Sequence, residues 1–210
     1  MQSNIRILML MALTACGAAH AQSSTFKFGV VRYDAHSKTN GVTGIGIPPG
    51  ADATVGDATT VVFTYEYEVK PNVGIELVLG VPPKITAKGS GTVAFLGEVL
   101  TARNVAPTVF LTYHFGQDGD RLRPYGGIGL NYTKFTGAST PYGWNVKLSD
   151  SVGLAAHAGL NYALDKQWGL FGSVARIDVK TNLVATGAVV LQSTIDFRPW
   201  TYTVGASYRF

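Results

Sequence analysis

Along most of the chain, large apolar or aromatic side chains alternate with small or polar ones. In residues 202–210, Tyr202, Val204, Ala206, Tyr208 and Phe210 share one face of an extended strand, and Thr203, Gly205, Ser207 and Arg209 share the other, because strand side chains alternate with period two. The rhythm is clearest in residues 60–69, where Val61, Phe63, Tyr65, Tyr67 and Val69 oppose Thr60, Val62, Thr64, Glu66 and Glu68. After the turn Lys70-Pro71-Asn72, the series Val73, Ile75, Leu77, Leu79, Val81 opposes Gly74, Glu76 and Gly80, which predicts a hairpin. Residues 105–115 turn Val109, Leu111, Tyr113 and Phe115 outward and Thr108, Phe110, Thr112 and His114 inward. Residues 124–135 present Ile128, Leu130 and Tyr132 outward, and residues 151–164 set Val152, Leu154, Ala156, Ala158, Leu160 and Tyr162 against Gly153, Ala155, His157, Gly159 and Asn161. Residues 168–179 are strand-like but apolar on both faces, so parity assigns no facing there. With residues 25–33 and 194–210 the strands number eight, an even count that a closed outer-membrane barrel permits.

The connections alternate in length. Residues 70–72, 116–123 and 165–167 are short, whereas 34–58, 83–104, 136–150 and 180–193 are long. In a barrel with both termini on one side, the short set is periplasmic and the long set extracellular. The first long segment, with Gly41, Gly44, Gly46 and Pro48-Pro49-Gly50 and little apolar content, reads as a loop that is mobile in isolation.

The amino terminus decides between this barrel and a soluble sandwich. Arg6 precedes an apolar run ending at Ala15, followed by Ala19-His20-Ala21, the layout of a secretory signal with cleavage after residue 21. The run is too short for a spanning helix, which needs ~20 residues. Leu13-Thr14-Ala15-Cys16-Gly17 offers a second reading, a lipobox in which Cys16 is lipidated. Cys16 is the sole cysteine, so the folded part has no disulfide framework or thiolate site. A secreted chain without a spanning helix still crosses a bilayer if its strands close, because closure pairs every backbone N–H and C=O without water.

Removing the first 21 of 210 residues leaves 189, one domain of ordinary size covering residues 22–210. Losing Arg6 leaves 16 Lys and Arg against 13 Asp and Glu. The cations are scattered singly, which excludes a nucleic-acid face. Only 14% of residues are charged, and 25 are glycine, a composition suited to a partly apolar solvent.

The stretches Val73-Gly74-Ile75-Glu76-Leu77, Ala106-Pro107-Thr108, Arg123-Pro124-Tyr125-Gly126-Gly127-Ile128-Gly129-Leu130-Asn131-Tyr132-Thr133-Lys134-Phe135, Leu148-Ser149-Asp150-Ser151, Pro199-Trp200 and Tyr208-Arg209-Phe210 stand in an order that resembles the OmpW family of small outer-membrane proteins. The family's usual Pro-Pro before Thr is Ala106-Pro107 here, and Arg176 stands where the family often has an aromatic residue. The resemblance implies an all-β, eight-stranded antiparallel transmembrane barrel in the bacterial outer membrane, with a narrow, largely apolar interior. It also implies a passive route for small hydrophobic molecules, contact with membrane lipid and lipopolysaccharide, and no cofactor. Tyr208 and Phe210 would present the last strand to the barrel-assembly machinery.

An eight-stranded barrel is just wide enough to be filled by side chains or to hold one small ligand. Inward Val62, Phe110 and Phe135, with Trp144 on a long loop, are candidates for an apolar path, and each singly also reads as packing. Glu66, Glu68, Glu76 and Arg209 on inward faces are costly unless paired or wet; with His114 and His157 they predict a polar network of charge pairs or trapped water, which leaves open whether the lumen is plugged. Beside Ser151 or Ser173 the two histidines suggest an acyl hydrolase, but no local motif supports it. Two histidines without cysteine make a poor metal set. Gly126-Gly127-Ile128-Gly129 is too strand-like for a dinucleotide loop, and its glycines instead make room for neighbouring side chains. Three functions follow in order: a channel for small hydrophobic compounds, a closed structural or surface-interaction barrel, and a lipid-modifying enzyme.

Overall fold

The computed structural model describes residues 23–35, 37–44, 46–187 and 190–210; the expected signal segment and Cys16 lie outside them. In chain order the strands are β1 (Ser24–Asp34), β2 (Ser37–Thr39), β3 (Thr43–Gly44), β4 (Ala51–Val55), β5 (Ala58–Lys70), β6 (Val73–Gly80), β7 (Lys84–Gly91) and β8 (Glu98–Val105). They continue as β9 (Thr108–His114), β10 (Leu122–Ser139), β11 (Asn145–Leu148), β12 (Ser151–Ala163), β13 (Trp168–Ile177), β14 (Val179–Thr186), β15 (Val190–Phe197) and β16 (Trp200–Arg209). A short 3-10 turn, Ala94–Leu96, links β7 to β8.

Eight of these strands form a closed antiparallel barrel in the order β1, β5, β6, β9, β10, β12, β13, β16, with β16 returning to β1. The closing seam is continuous, running in register from Thr25 opposite Arg209 to Asp34 opposite Trp200. Outward residues follow the expected parity: Phe28, Phe63, Leu79, Leu111, Ile128, Leu154 and Val204 are all exposed, while Val31, Val62, Phe110 and Phe171 are buried. Parity also resolves β13, with Phe171 and Ile177 turned in and Trp168 and Leu170 turned out. Both of its faces are apolar because Ile177 enters an interior apolar cluster with Phe110, Val179, Ile195 and Phe197.

The barrel gives way to a second architecture at one level, and proline marks it. Val81-Pro82-Pro83 separates β6 from β7, Ala106-Pro107 separates β8 from β9, and Arg198-Pro199 separates β15 from β16. Proline has no N–H to give a ladder, yet its carbonyl still accepts: Pro83, Pro107 and Pro199 receive the N–H groups of Asn104, Tyr132 and Ile177 at 3.2, 3.0 and 3.3 Å. The expected strands 105–115, 168–179 and 194–210 all cross this level. Each is therefore two strands, the middle one broken at Asp178.

Above it, the four long connections are not open loops. Upper β10 pairs with β8, β8 with β7 and β7 with β4, while β11, β14, β15 and β2 make a second sheet with β3 on the β15 edge. In β14, Val179, Thr181 and Ala185 are buried, whereas Lys180, Asn182 and Thr186 are exposed. Polar outward residues masked this alternation in the sequence, because at this height the outer surface faces water rather than lipid. The segment expected to be a mobile loop folds into β2, β3 and β4, its Gly41, Gly46 and Gly50 taking positive φ in the turns between them. β10 runs for 18 residues, well beyond the ~9–11 that a spanning strand needs.

The short connections stand as expected. Asn72, at φ 67, takes the left-handed conformation in the β5–β6 turn, and its amide donates to the Gly116 carbonyl at 3.3 Å while its oxygen accepts from Arg123 at 2.7 Å. Asn72→Ala is expected to lower barrel stability by about 1–3 kcal/mol, and Asn72→Gly by less, because glycine adopts this φ without a Cβ penalty. Urea unfolding of the chain refolded in lipid vesicles measures both.

Candidate functional site

Two chambers, separated by a closed polar layer, stack along the barrel axis. At the periplasmic end a polar vestibule of about 530 Å³ is bordered by Glu68, His114, Asp118, Arg123, Asn161 and Arg209. His114 Nδ1, Arg123 Nε and Asn161 Oδ1 are buried, lack a hydrogen-bond partner among the described residues, and all border this vestibule. Arg209 binds Asp118 at 2.9 Å and lies 3.5 Å from Glu68, and Arg123 reaches Asp118 at 3.2 Å.

Above the vestibule the lumen is closed by an ion cluster. Lys27, 2% exposed, contacts Glu66 at 2.9 Å and Glu76 at 2.7 Å. Glu66 also takes a hydrogen bond with His114, and His157 lies 3.6 Å from Glu76 while hydrogen-bonding Thr112 at 3.3 Å. Phe110 stacks flat on His157 at 3.9 Å between ring centroids, and Lys27 sits 4.7 Å over the Tyr125 ring. Strand glycines make the space: a Cβ at Gly74 would meet Glu66 at 2.5 Å, one at Gly127 would meet His157 at 2.6 Å, and one at Gly159 would meet Tyr125 at 2.4 Å. A lone buried carboxylate or ammonium is costly, so these charges are tolerable only together.

The second chamber lies between the two extracellular sheets. It encloses about 300 Å³ and is lined by Val55, Ala87, Leu100, Trp144, Ala185, Ile195 and other mostly apolar neighbours. Of its few polar side chains, Thr39 bonds Asp52 and Ser193 donates to the Gly41 carbonyl at 3.0 Å. A smaller space of about 40 Å³ continues below it past Phe135, Leu148 and Phe197. There the sheets part: β10 and β12 pair only as far as Thr133 opposite Ser151, and no ladder joins upper β10 to β11 among the described residues.

The sequence candidates are thus distributed rather than gathered. Trp144 lines the apolar chamber and Phe135 the space beneath it, while Val62 and Phe110 border a cavity of only about 50 Å³ inside the barrel. The expected polar network divides: Glu66, Glu76, His114 and His157 form the deep cluster, whereas Glu68 and Arg209 belong to the vestibule rim. Sequence reasoning missed Lys27, the cation at the centre. Its signal is there, since Lys27 alternates with outward Phe26 and Phe28 on β1. Ser151, imagined as a nucleophile, accepts the Lys180 N–H at 3.0 Å.

Lys27→Met strands two buried carboxylates and is expected to destabilise the barrel by about 3–5 kcal/mol, whereas adding Glu66→Gln and Glu76→Gln to it restores much of that loss; vesicle unfolding midpoints separate the two cases. At the rim, the hydrogen bond from Arg209 holds the Asp118 carboxyl below the usual carboxylate range. A lowered folded pKa contributes stability that is present above the unfolded pKa and disappears as pH falls through the folded one. Unfolding midpoints of wild type and Asp118→Asn are therefore expected to differ near neutrality and to converge in acid.

The family model described as the OmpW family matches residues 22–210. Outer membrane protein W of Vibrio cholerae is 31% identical over 169 residues, covering 76% of this chain and 77% of that protein. Outer membrane protein AlkL of Ectopseudomonas oleovorans is 30% identical, covering 80% and 73%. The crystal structure of the outer membrane protein OprG from Pseudomonas aeruginosa superposes with a TM-score of 0.84 at 27% identity, covering 90% of this chain and 96% of that one. With a matched family model and a closed barrel banded by apolar side chains, this chain belongs to the OmpW family and is a β-barrel protein of the bacterial outer membrane.

Proposed function

We propose that the chain gives small hydrophobic molecules a passive route across the outer membrane. The observation that carries this reading is the apolar chamber between the extracellular sheets, whose Thr39, Asp52 and Ser193 already have hydrogen-bond partners. Such a chamber shelters an apolar solute from the charged saccharide layer and offers a polar solute few partners. The route does not continue down the axis, because the apolar cluster around Phe110 and Ile177 and the Lys27 cluster beneath it fill the barrel. A solute instead leaves sideways past Phe135 and Leu148, where β10 and β12 cease to pair, and enters the hydrocarbon of the bilayer. On this reading Trp144 and Phe135 line the path, and Val62 and Phe110 form part of its floor.

The engagement of His114 with Glu66, and of His157 with Thr112 and Glu76, supports a packing role over acyl hydrolysis. Tyr208 rests against Trp168 and Phe210 in an aromatic group at the periplasmic end, an arrangement that suits presentation of the last strand to the assembly machinery.

The test is uptake of a panel of apolar fluorescent probes into vesicles with and without the purified chain. Ala185→Trp, which fills the chamber from β14, is expected to cut protein-dependent uptake by at least about fivefold while the barrel stays folded. Uptake that neither depends on the protein nor changes in this variant would leave a closed scaffold as the better description.

A further inference from the structure

We propose that Lys84, Arg103 and Lys134 form a binding site on the outer wall for the phosphates of lipid A, the phosphorylated glycolipid of the outer leaflet. All three are exposed. Lys84 on β7 stands directly opposite Arg103 on β8, and Arg103 stands opposite Thr136 on β10, two residues from Lys134. Directly opposed residues point to the same side of a sheet, and diagonal neighbours remain within reach of long side chains. Parity along β10 places Lys134 on the face of Ile128, Leu130 and Tyr132, the lipid-facing one. The three charges therefore make one outward row.

Its height matches the ligand. Lys134 comes two residues after Tyr132 on β10 and Lys84 three residues after Val81, the last exposed apolar residue before Pro82-Pro83. The row sits just beyond the apolar band, on the side of the long extracellular strands, where the outer leaflet carries its phosphates.

Its charge is uncompensated. Like charges directly opposite on neighbouring strands destabilise a sheet, and none of these three side chains takes part in an ion pair among the described residues. Three other cations near this level are matched: Arg32 with Asp57 at 2.8 Å, Arg198 with Asp196 at 2.9 Å, and Arg176 over the Trp200 ring at 5.3 Å. Asp150, adjacent in sequence to the Ser151 that opposes Thr133, is engaged by the Tyr132 hydroxyl at 2.6 Å. An arginine fork flanked by two ammonium groups suits a phosphate monoester on a sugar, which presents several oxygens at once.

The test uses the full chain refolded into nanodiscs, with bound lipid read by native mass spectrometry. Bisphosphorylated lipid A, dephosphorylated lipid A and phosphatidylglycerol are offered in turn. Bisphosphorylated lipid A is expected to bind at least about tenfold more tightly than either of the others. The triple variant Lys84→Gln, Arg103→Gln, Lys134→Gln is expected to lose that preference. Lys84→Arg with Lys134→Arg is expected to keep it, as is Lys70→Gln with Lys166→Gln, which removes two cations at the periplasmic end. Heat-shifted electrophoretic mobility confirms that each variant is folded, and Arg103→Gln alone gives an intermediate loss should the triple variant fold poorly. Undiminished lipid A binding by a folded triple variant or by folded Arg103→Gln, or equal binding of phosphatidylglycerol, overturns the proposal.

Discussion

Closure of β16 onto β1 is the constraint from which the other features descend. In hydrocarbon an unpaired backbone N–H or C=O has no water to turn to, so a spanning sheet must end where it began. The ten-residue register from Thr25–Arg209 to Asp34–Trp200 meets that demand across the full height of the wall. Closing with only eight strands then fixes the diameter, and with it the volume left for side chains. The lumen is too narrow for an aqueous pore and too long to be left empty.

How that volume is filled explains the division between polar and apolar interior. The lower half uses charge, with Lys27 bridging Glu66 and Glu76 and the two histidines completing the ring of partners. The upper half uses hydrocarbon, with Phe110, Ile177, Val179, Ile195 and Phe197 in one cluster. Phe110 joins the two, one face stacked on His157 and the remainder packed among aliphatic neighbours. A buried ion cluster is a poor source of net stability but a demanding one in geometry, and the glycines packed against Glu66, His157 and Tyr125 record how little room it leaves.

Much of this was legible in the sequence because the lipid-facing wall enforces a strict period. Phe63, Tyr65, Leu111, Leu130 and Val204 could be assigned outward from parity alone, and Glu66, Glu76, His114 and His157 inward by the same reasoning. Contact with lipid ends at the proline level, and there the signal fails. Above it both surfaces of a strand can carry threonine or asparagine, so residues 180–193, most of β14 and the first half of β15, read as a loop although Val179, Thr181 and Ala185 alternate cleanly. The partition of the polar residues into a deep cluster and a vestibule rim was not legible, since parity gives the face of a side chain but not its depth. Lys27 was visible in principle. It was overlooked because Phe26 and Phe28 dominate the apolar pattern of β1.

The proline level connects the two outward-looking features of the molecule. Below it each barrel strand has a partner on both sides; above it upper β10 turns to β8, the chain divides into two sheets, and no ladder joins β10 to β11 among the described residues. A barrel that carried its full ladder past this level would enclose the apolar chamber and deny it any way out but the blocked axis. One in which the ladder ended lower would expose unpaired backbone to lipid. The change of partner therefore has to fall at the boundary between hydrocarbon and headgroups, where water and polar lipid begin to satisfy the freed groups. The same boundary holds the row Lys84, Arg103, Lys134 on the wall made by β7, β8 and upper β10. Phosphate gathered there would lie on the sheet whose β10 edge is left unpaired with β11, so on the proposed lateral route the departing solute and the lipid that must make way for it meet at one height.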